Sequence, residues 1–175
     1  MAFIKTPVKG MNDFLPEEMR LREYVISVIK KTYTSFGFSL IETPIVEHIE
    51  NLQSNQGGEN EKLIFKILKR GEKLDLNSAK SNMDLTDCGL RYDLTLPLSR
   101  YYSNNCEQLF TPFKALQIGN VFRADRPQKG RFRQFMQCDI DILGDDSMLA
   151  ETELVTATSS LLLKLRFKNF CVKIN

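Results

Sequence analysis

The sequence predicts an α+β fold in which an antiparallel sheet is flanked by helices, and three stretches carry that expectation. Residues 113–144, FKALQIGNVFRADRPQKGRFRQFMQCDIDILG, read as two long strands joined by a short basic turn. Residues 16–36 and 147–165 read as helices, one on each side of that hairpin in the chain.

In chain order, Pro16 suits the first turn of a helix, where its missing N–H costs nothing, and Glu17 and Glu18 favour the positive end of the dipole. Leu21, Tyr24, Val25, Val28, Ile29 and Phe36 keep helical spacing until Gly37 supplies a stop. Phe38–Thr43 reads as a strand closed by Pro44. Residues 51–61, NLQSNQGGENE, form a polar loop whose glycine pair is an ordinary turn signal. Leu63–Leu68 is a short apolar run expected as a strand. Residues 71–88, rich in Lys, Asn, Ser and Asp, read as a loop or an excursion from the sheet. Leu90–Tyr92 is expected as a strand entering a helix that starts near Thr95 and runs through Tyr101. After the hairpin, Ser147 is placed to cap a helix with Glu151 and Glu153 in its opening turns, followed by Leu154, Leu161, Leu162 and Leu165. FCVKIN at 170–175 reads as one more strand.

Composition narrows the function. A chain of 175 residues fits one domain with a real core. Lys plus Arg is 24 against 22 for Asp plus Glu, so polyanion binding must come from local clustering. Four widely spaced cysteines suggest neither a zinc knuckle nor a disulfide framework, and reduced thiols in the cytoplasm are the simplest expectation. No apolar run reaches the roughly 18 residues of a membrane span, and the N-terminus has no apolar signal core. His48 is the only histidine, which removes most Ser-His and Cys-His nucleophilic schemes and most histidine-based metal sites.

The hairpin carries the chemistry. Five of the eleven residues from Arg123 to Arg133 are Arg or Lys, with Asp125 the one acid. An Arg fork grips phosphate in two directions at once, although charge alone also fits a solvated turn. Alternation decides between them, because residues two apart on a strand share a face. Arg133, Phe135, Gln137, Asp139 and Asp141 fall on one face, a cation, an aromatic, an amide and two carboxylates; Gln134, Met136, Cys138, Ile140 and Ile142 fall on the other and suit a core. The first face has the make-up of a binding surface.

FRADRPQKGRFRQFMQCDID resembles the second signature motif of the class II aminoacyl-tRNA synthetases in its histidyl form. KGMNDFLPEE at 9–18 is similar to the entry of that family's catalytic domain, and LRYDLTLPLSRYYSNN at 90–105 to its amino-acid-binding segment. The resemblance implies the class II antiparallel sheet with a first-motif region at about 16–44, the amino-acid segment at 90–105 and the second-motif hairpin at 113–144. No segment matches the family's third motif, its histidine-specific segment or its anticodon-binding domain. The chain is therefore expected to be the N-terminal portion of such a catalytic domain, the sheet incomplete and full activity doubtful for this length alone.

By the same resemblance the function is ATP-dependent activation of histidine and its transfer to tRNA(His), with ATP as substrate, Mg2+ beside it, and a homodimer built on the first-motif region. Arg123 would bridge the substrate carboxylate and the α-phosphate, Asp125 would help place the nucleotide, Arg131 would reach the outer phosphates, and Phe135 would stack on adenine. Asp93, Leu94 and Thr95 would receive the amino acid at its amine, with Arg123 at its carboxylate and Gln137 and Asp141 contacting the amino acid and its imidazole. Asp93 also fits a helix N-cap and Asp141 a solvent-facing strand acid. Lys129 and Gly130 fit a turn that touches the acceptor end of tRNA. Two other readings stand beside this one: a non-catalytic histidine sensor resembling the regulatory subunit of ATP phosphoribosyltransferase, and an RNA-binding module using the basic hairpin alone.

Overall fold

Ten elements account for the regular structure in a computed structural model, which describes residues 3–53, 59–77, 79–81 and 84–174. They are α1 (Pro16–Ser35), β1 (Ser39–Ile41), β2 (Val46–His48), α2 (Ile49–Leu52), β3 (Lys66–Leu68), β4 (Thr86–Leu90), α3 (Thr95–Asn105), β5 (Phe113–Phe122), β6 (Gln134–Leu143) and α4 (Met148–Lys164). Short 3-10 turns at Glu59–Leu63, Gly71–Lys73 and Cys106–Gln108 join some of them. Two three-stranded sheets result, ordered β1-β5-β6 and β2-β4-β3. The second is antiparallel throughout. In the first, β5 and β6 form the hairpin, while β1 runs parallel to β5 with Ser39 opposite Ala115.

The chain divides into two compact units. The first comprises Met1–Asp13, Thr43–Asn104 and Ile118–Gln137; the second comprises Phe14–Glu42, Asn105–Gln117 and Cys138–Asn175.

In the second unit, Pro16 opens α1 and Glu18 reaches back to accept from the Leu15 N–H at 3.0 Å, satisfying one of the donors a helix start leaves over. Thr32 and Tyr33 are its buried residues, and the Tyr33 ring meets Phe38 edge-on with centroids 6.0 Å apart. Leu21 and Tyr24, two of the helically spaced apolar residues, are exposed. On β5, Lys114 donates to Glu153 of α4 at 2.6 Å and to the Phe36 carbonyl at 3.3 Å, fastening the strand to the end of α1 and to α4.

In the first unit, Ile49, Leu52 and Ile64 form a small buried cluster with Leu96 packed against it. Glu47 of β2 is 5% exposed and accepts from Arg100 Nε of α3 at 2.7 Å, so a buried carboxylate is paired and holds the helix in place. His48 is exposed at the end of β2.

Several expectations change. The strand expected at Leu90–Tyr92 is β4, which begins at Thr86 and ends at Leu90 because its ladder partners are β2 and β3. Residues 86–88, expected within the polar loop, are thus paired strand. Phe38–Thr43 shortens to β1, and the apolar run from Leu63 is strand only at Lys66–Leu68. Part of the 51–61 loop, residues 54–58, lies outside the described residues, as do 78, 82 and 83 of the 71–88 stretch. Ser147 takes the N-cap position of α4 without a side-chain bond to the helix; its N–H donates to Asp145 Oδ1 at 2.9 Å. The 170–174 segment is not strand, since a ladder requires a partner and it pairs with none among the described residues. Met136 on the expected core face of β6 is exposed, while Cys138, Ile140 and Ile142 of that face are partly buried. No described helix is long and apolar enough to cross a membrane.

Candidate functional site

The hairpin turn closes at Gln128 and Arg131, whose main chains exchange hydrogen bonds of 3.2 and 2.9 Å. Between them Gly130 has φ +77°, which a type II turn requires at its third position. An N-terminal strap braces the strand behind this turn: the Gly10 carbonyl accepts from the Arg133 N–H at 2.7 Å. Gly10 has φ +87°, and a Cβ there would lie 2.8 Å from Pro127 Cγ and 2.9 Å from Arg133 Cγ. Both the conformation and the space demand glycine. Arg133 Nε donates to the Asp125 carbonyl at 3.0 Å, so this arginine shapes the hairpin from within. The Ala124 N–H donates to the Leu63 carbonyl at 2.7 Å, bringing the turn before β3 alongside.

Arg123 leaves β5 inside this frame. Its guanidinium carbon stands 4.3 Å from the Tyr92 ring centroid and 5.0 Å from that of Phe135. Its Nε donates to the Tyr92 carbonyl at 3.2 Å and Nη2 to Gln137 Oε1 at 3.3 Å. Among the described residues no carboxylate pairs with it. A planar cation flanked by two aromatic rings, with N–H groups still to spare, is prepared for a bidentate anion.

A cavity of about 390 Å³ opens beside it, lined by Tyr92, Arg123, Asp125, Arg131, Phe132 and Phe135 among others. The four residues expected at the nucleotide, Arg123, Asp125, Arg131 and Phe135, therefore share one cavity. Arg131 stands 3.8 Å from Asp125 with its side chain 58% exposed, a loose pair that a ligand can rearrange at little cost.

The residues expected at the amino acid are less closely gathered. Gln137 meets Arg123 directly. Asp93 follows Tyr92 and accepts from the Leu96 N–H at 3.2 Å through Oδ1, so the capping alternative describes one of its oxygens. Leu94 is 1% exposed and its carbonyl accepts from the Leu98 N–H at 3.1 Å, so the whole residue is enclosed. Thr95 is the exposed first residue of α3. Asp141 shares the strand face of Gln137 but belongs to the second unit. Lys129 and Gly130 are exposed on the turn.

Tyr92, Phe132 and Arg91 were not expected at the site. Tyr92 sits between Arg91 and Asp93 in the sequence, and an aromatic beside a predicted ligand acid was the available signal. Phe132 lies off the face assigned to the ligand because alternation fails in the turn. Arg91 gives no local signal, because its partners are remote in the chain.

Comparison with known proteins agrees with the family resemblance. A family model described as histidyl-tRNA synthetase matches residues 10–174. A histidine–tRNA ligase from Leifsonia xyli subsp. xyli is 48% identical over 179 residues, covering 100% of this chain and 42% of that relative. One from Bacteroides fragilis is 42% identical over 95% of this chain and 38% of its own length. The crystal structure of histidyl-tRNA synthetase from Nostoc sp. superposes with a TM-score of 0.74 at 31% identity, covering 92% of this chain and 34% of that one. A Bacillus halodurans structure described as an ATP phosphoribosyltransferase regulatory subunit/histidyl-tRNA synthetase has a TM-score of 0.76 at 21% identity over 97% of this chain and 40% of its own, a likeness of fold alone. The chain spans about two fifths of the length of the curated relatives it matches.

Proposed function

The chain belongs to the histidyl-tRNA synthetase family, and we propose on that premise that its hairpin cavity binds ATP and aligns histidine for activation to histidyl-adenylate, the step that precedes transfer to tRNA(His). The observation that carries the reading is Arg123, held between Tyr92 and Phe135 at the mouth of a cavity that also contains Asp125 and Arg131.

Joining a carboxylate to the α-phosphate requires two anions to meet and pyrophosphate to leave. The amino acid is its own nucleophile, so alignment and charge stabilisation are the protein's work. Arg123 would bridge the two anions through its free N–H groups and Arg131 would follow the outer phosphates. Phe135 would offer its face to adenine, and Asp125 would steady the base side. Asp93 and Thr95 would accept from the α-ammonium, the Leu94 main chain would lie between them, and Gln137 and Asp141 would address the imidazole. Among the described residues no three His, Cys, Asp or Glu side chains gather to hold a metal; Mg2+ would enter as the counter-ion of the phosphates. Lys129 and Gly130 would face the acceptor end of tRNA. The exposed apolar residues Leu15, Met19, Leu21 and Tyr24 around the start of α1 support a homodimer, and the cytoplasm is the setting this chemistry implies.

Equilibrium dialysis with labelled histidine, in the presence and absence of ATP and magnesium, tests the reading. ATP should tighten histidine retention, and other amino acids should not compete. Histidine binding indifferent to ATP would overturn it in favour of a sensor, and salt-sensitive RNA binding with no histidine binding would favour an RNA module.

A further inference from the structure

We propose that Arg91 and Tyr92 are positioning residues for Arg123, Arg91 as a buried anchor and Tyr92 as the plate that sets the guanidinium's plane; this rests on the reading of the cavity as the activation site. Arg91 is 4% exposed. Its Nη1 donates to the Thr43 carbonyl at 2.7 Å and to Thr43 Oγ1 at 3.3 Å, and its Nε donates to the Asn120 carbonyl at 2.8 Å. Its main chain is tied on both sides, the N–H to the Ile45 carbonyl at 2.8 Å and the carbonyl to the Phe122 N–H at 3.0 Å. Five bonds thus join one residue to the approach to β2 and to the end of β5, the strand from which Arg123 leaves.

The fit has no slack. A Cβ at Gly119 would stand 2.1 Å from an Arg91 guanidinium nitrogen, so β5 carries no side chain where the anchor passes. An arginine buried this deeply is retained at a desolvation cost, which points to what it holds in place. What it holds is the next residue. Tyr92 provides the carbonyl that receives Arg123 Nε and the ring that stacks on its guanidinium. Phe135 and Gln137 complete the seat from β6. With its plane and one edge fixed, the guanidinium has little rotamer freedom left to lose when an anion arrives.

The test combines ATP–magnesium calorimetry with the Nε–H signal of Arg123 in nitrogen-15 NMR, assigned by its loss in Arg123→Lys. Tyr92→Phe keeps the plate, Tyr92→Leu removes it, and Gly119→Ala presses on the anchor without touching the cavity. Tyr92→Phe should bind ATP within about twofold of the parent, whereas Tyr92→Leu and Gly119→Ala should weaken binding roughly tenfold. In both weakened variants the Arg123 Nε–H signal should lose its ring-shifted position. Melting curves show which variants remain folded, and Arg91→Lys replaces Gly119→Ala if the latter does not fold. Parent-like ATP affinity and an unmoved Arg123 signal in Tyr92→Leu would overturn the inference while leaving the site reading intact. Failure of the parent itself to bind ATP would overturn both.

Discussion

At the scale of single residues, Arg123 was legible because its neighbours are local: alternation along residues 133–141 fixes which side chains share its face, and Phe135 and Gln137 do meet it. Arg91 was not legible, since Thr43 lies 48 residues before it and Asn120 29 residues after it, and no window of sequence shows both. Gly10 is read with certainty only when its neighbours are seen. Gly10→Ala should destabilise the protein by about 1–3 kcal/mol, from positive-φ strain and the contact with Pro127 and Arg133. Urea unfolding measures it, and a parent-like midpoint would contradict the strap. The cysteines divide by environment. Burial, with Asp139 adding to it, pushes the Cys138 thiol up to about 12, whereas Cys106 and Cys171 are exposed. Iodoacetamide at pH 8 should therefore label Cys106 and Cys171 while Cys138 reacts only on unfolding; equal labelling of all three would show that Cys138 is not so enclosed.

At the scale of elements, sequence signals that extend over many residues recovered α1, α3, α4 and the hairpin, whereas the single turn of α2, which runs into the expected 51–61 loop, went unread. Such signals failed where pairing alone makes the strand. Thr86–Asp87–Cys88 has no alternation to announce it, yet β3 pairs with Thr86 and Cys88 and β2 with Cys88, while the apolar residues of 170–174 alternate and find no ladder among the described residues. The turn ahead of β4 depends on Asp84, which accepts from the Lys80 and Ser81 N–H groups at 3.0 and 2.9 Å and from Ser81 Oγ at 3.2 Å. These main-chain donors, Lys80 first, hold its carboxyl below the ordinary value. The folded state thus favours the carboxylate, and the contribution is present above the unfolded value near about 4 and lost as pH falls through the lowered folded one. Asp84→Asn should flatten the acid limb of a stability–pH curve below about pH 4; an unchanged limb would show that the turn does not depend on that charge. Removing the partner of Glu47 by Arg100→Met should cost about 1–3 kcal/mol, less than a fully buried pair because Arg100 is 34% exposed. A change within error on urea unfolding would mean that α3 is held by its apolar face alone.

At the scale of the whole molecule, family membership was carried by ordered motifs, and bulk composition alone would have identified no function: a near-neutral chain with one histidine fits many proteins. That Arg123, Asp125, Arg131 and Phe135, the residues proposed at the nucleotide, line one cavity was legible because all four lie on one hairpin. The residues proposed at the amino acid were less so, because the Asp93–Thr95 stretch and Asp141 are far apart in the sequence and no local pattern relates them. Sedimentation equilibrium at tens of micromolar should show a dimer that uses the exposed apolar start of α1; a strict monomer would contradict that surface's role. The most direct test of the central claim is calorimetric titration of the chain with ATP and magnesium beside Arg123→Ala. Saturable binding that falls by at least about tenfold in Arg123→Ala is the result the account predicts; no binding by the parent chain, or equal binding by both, would contradict it.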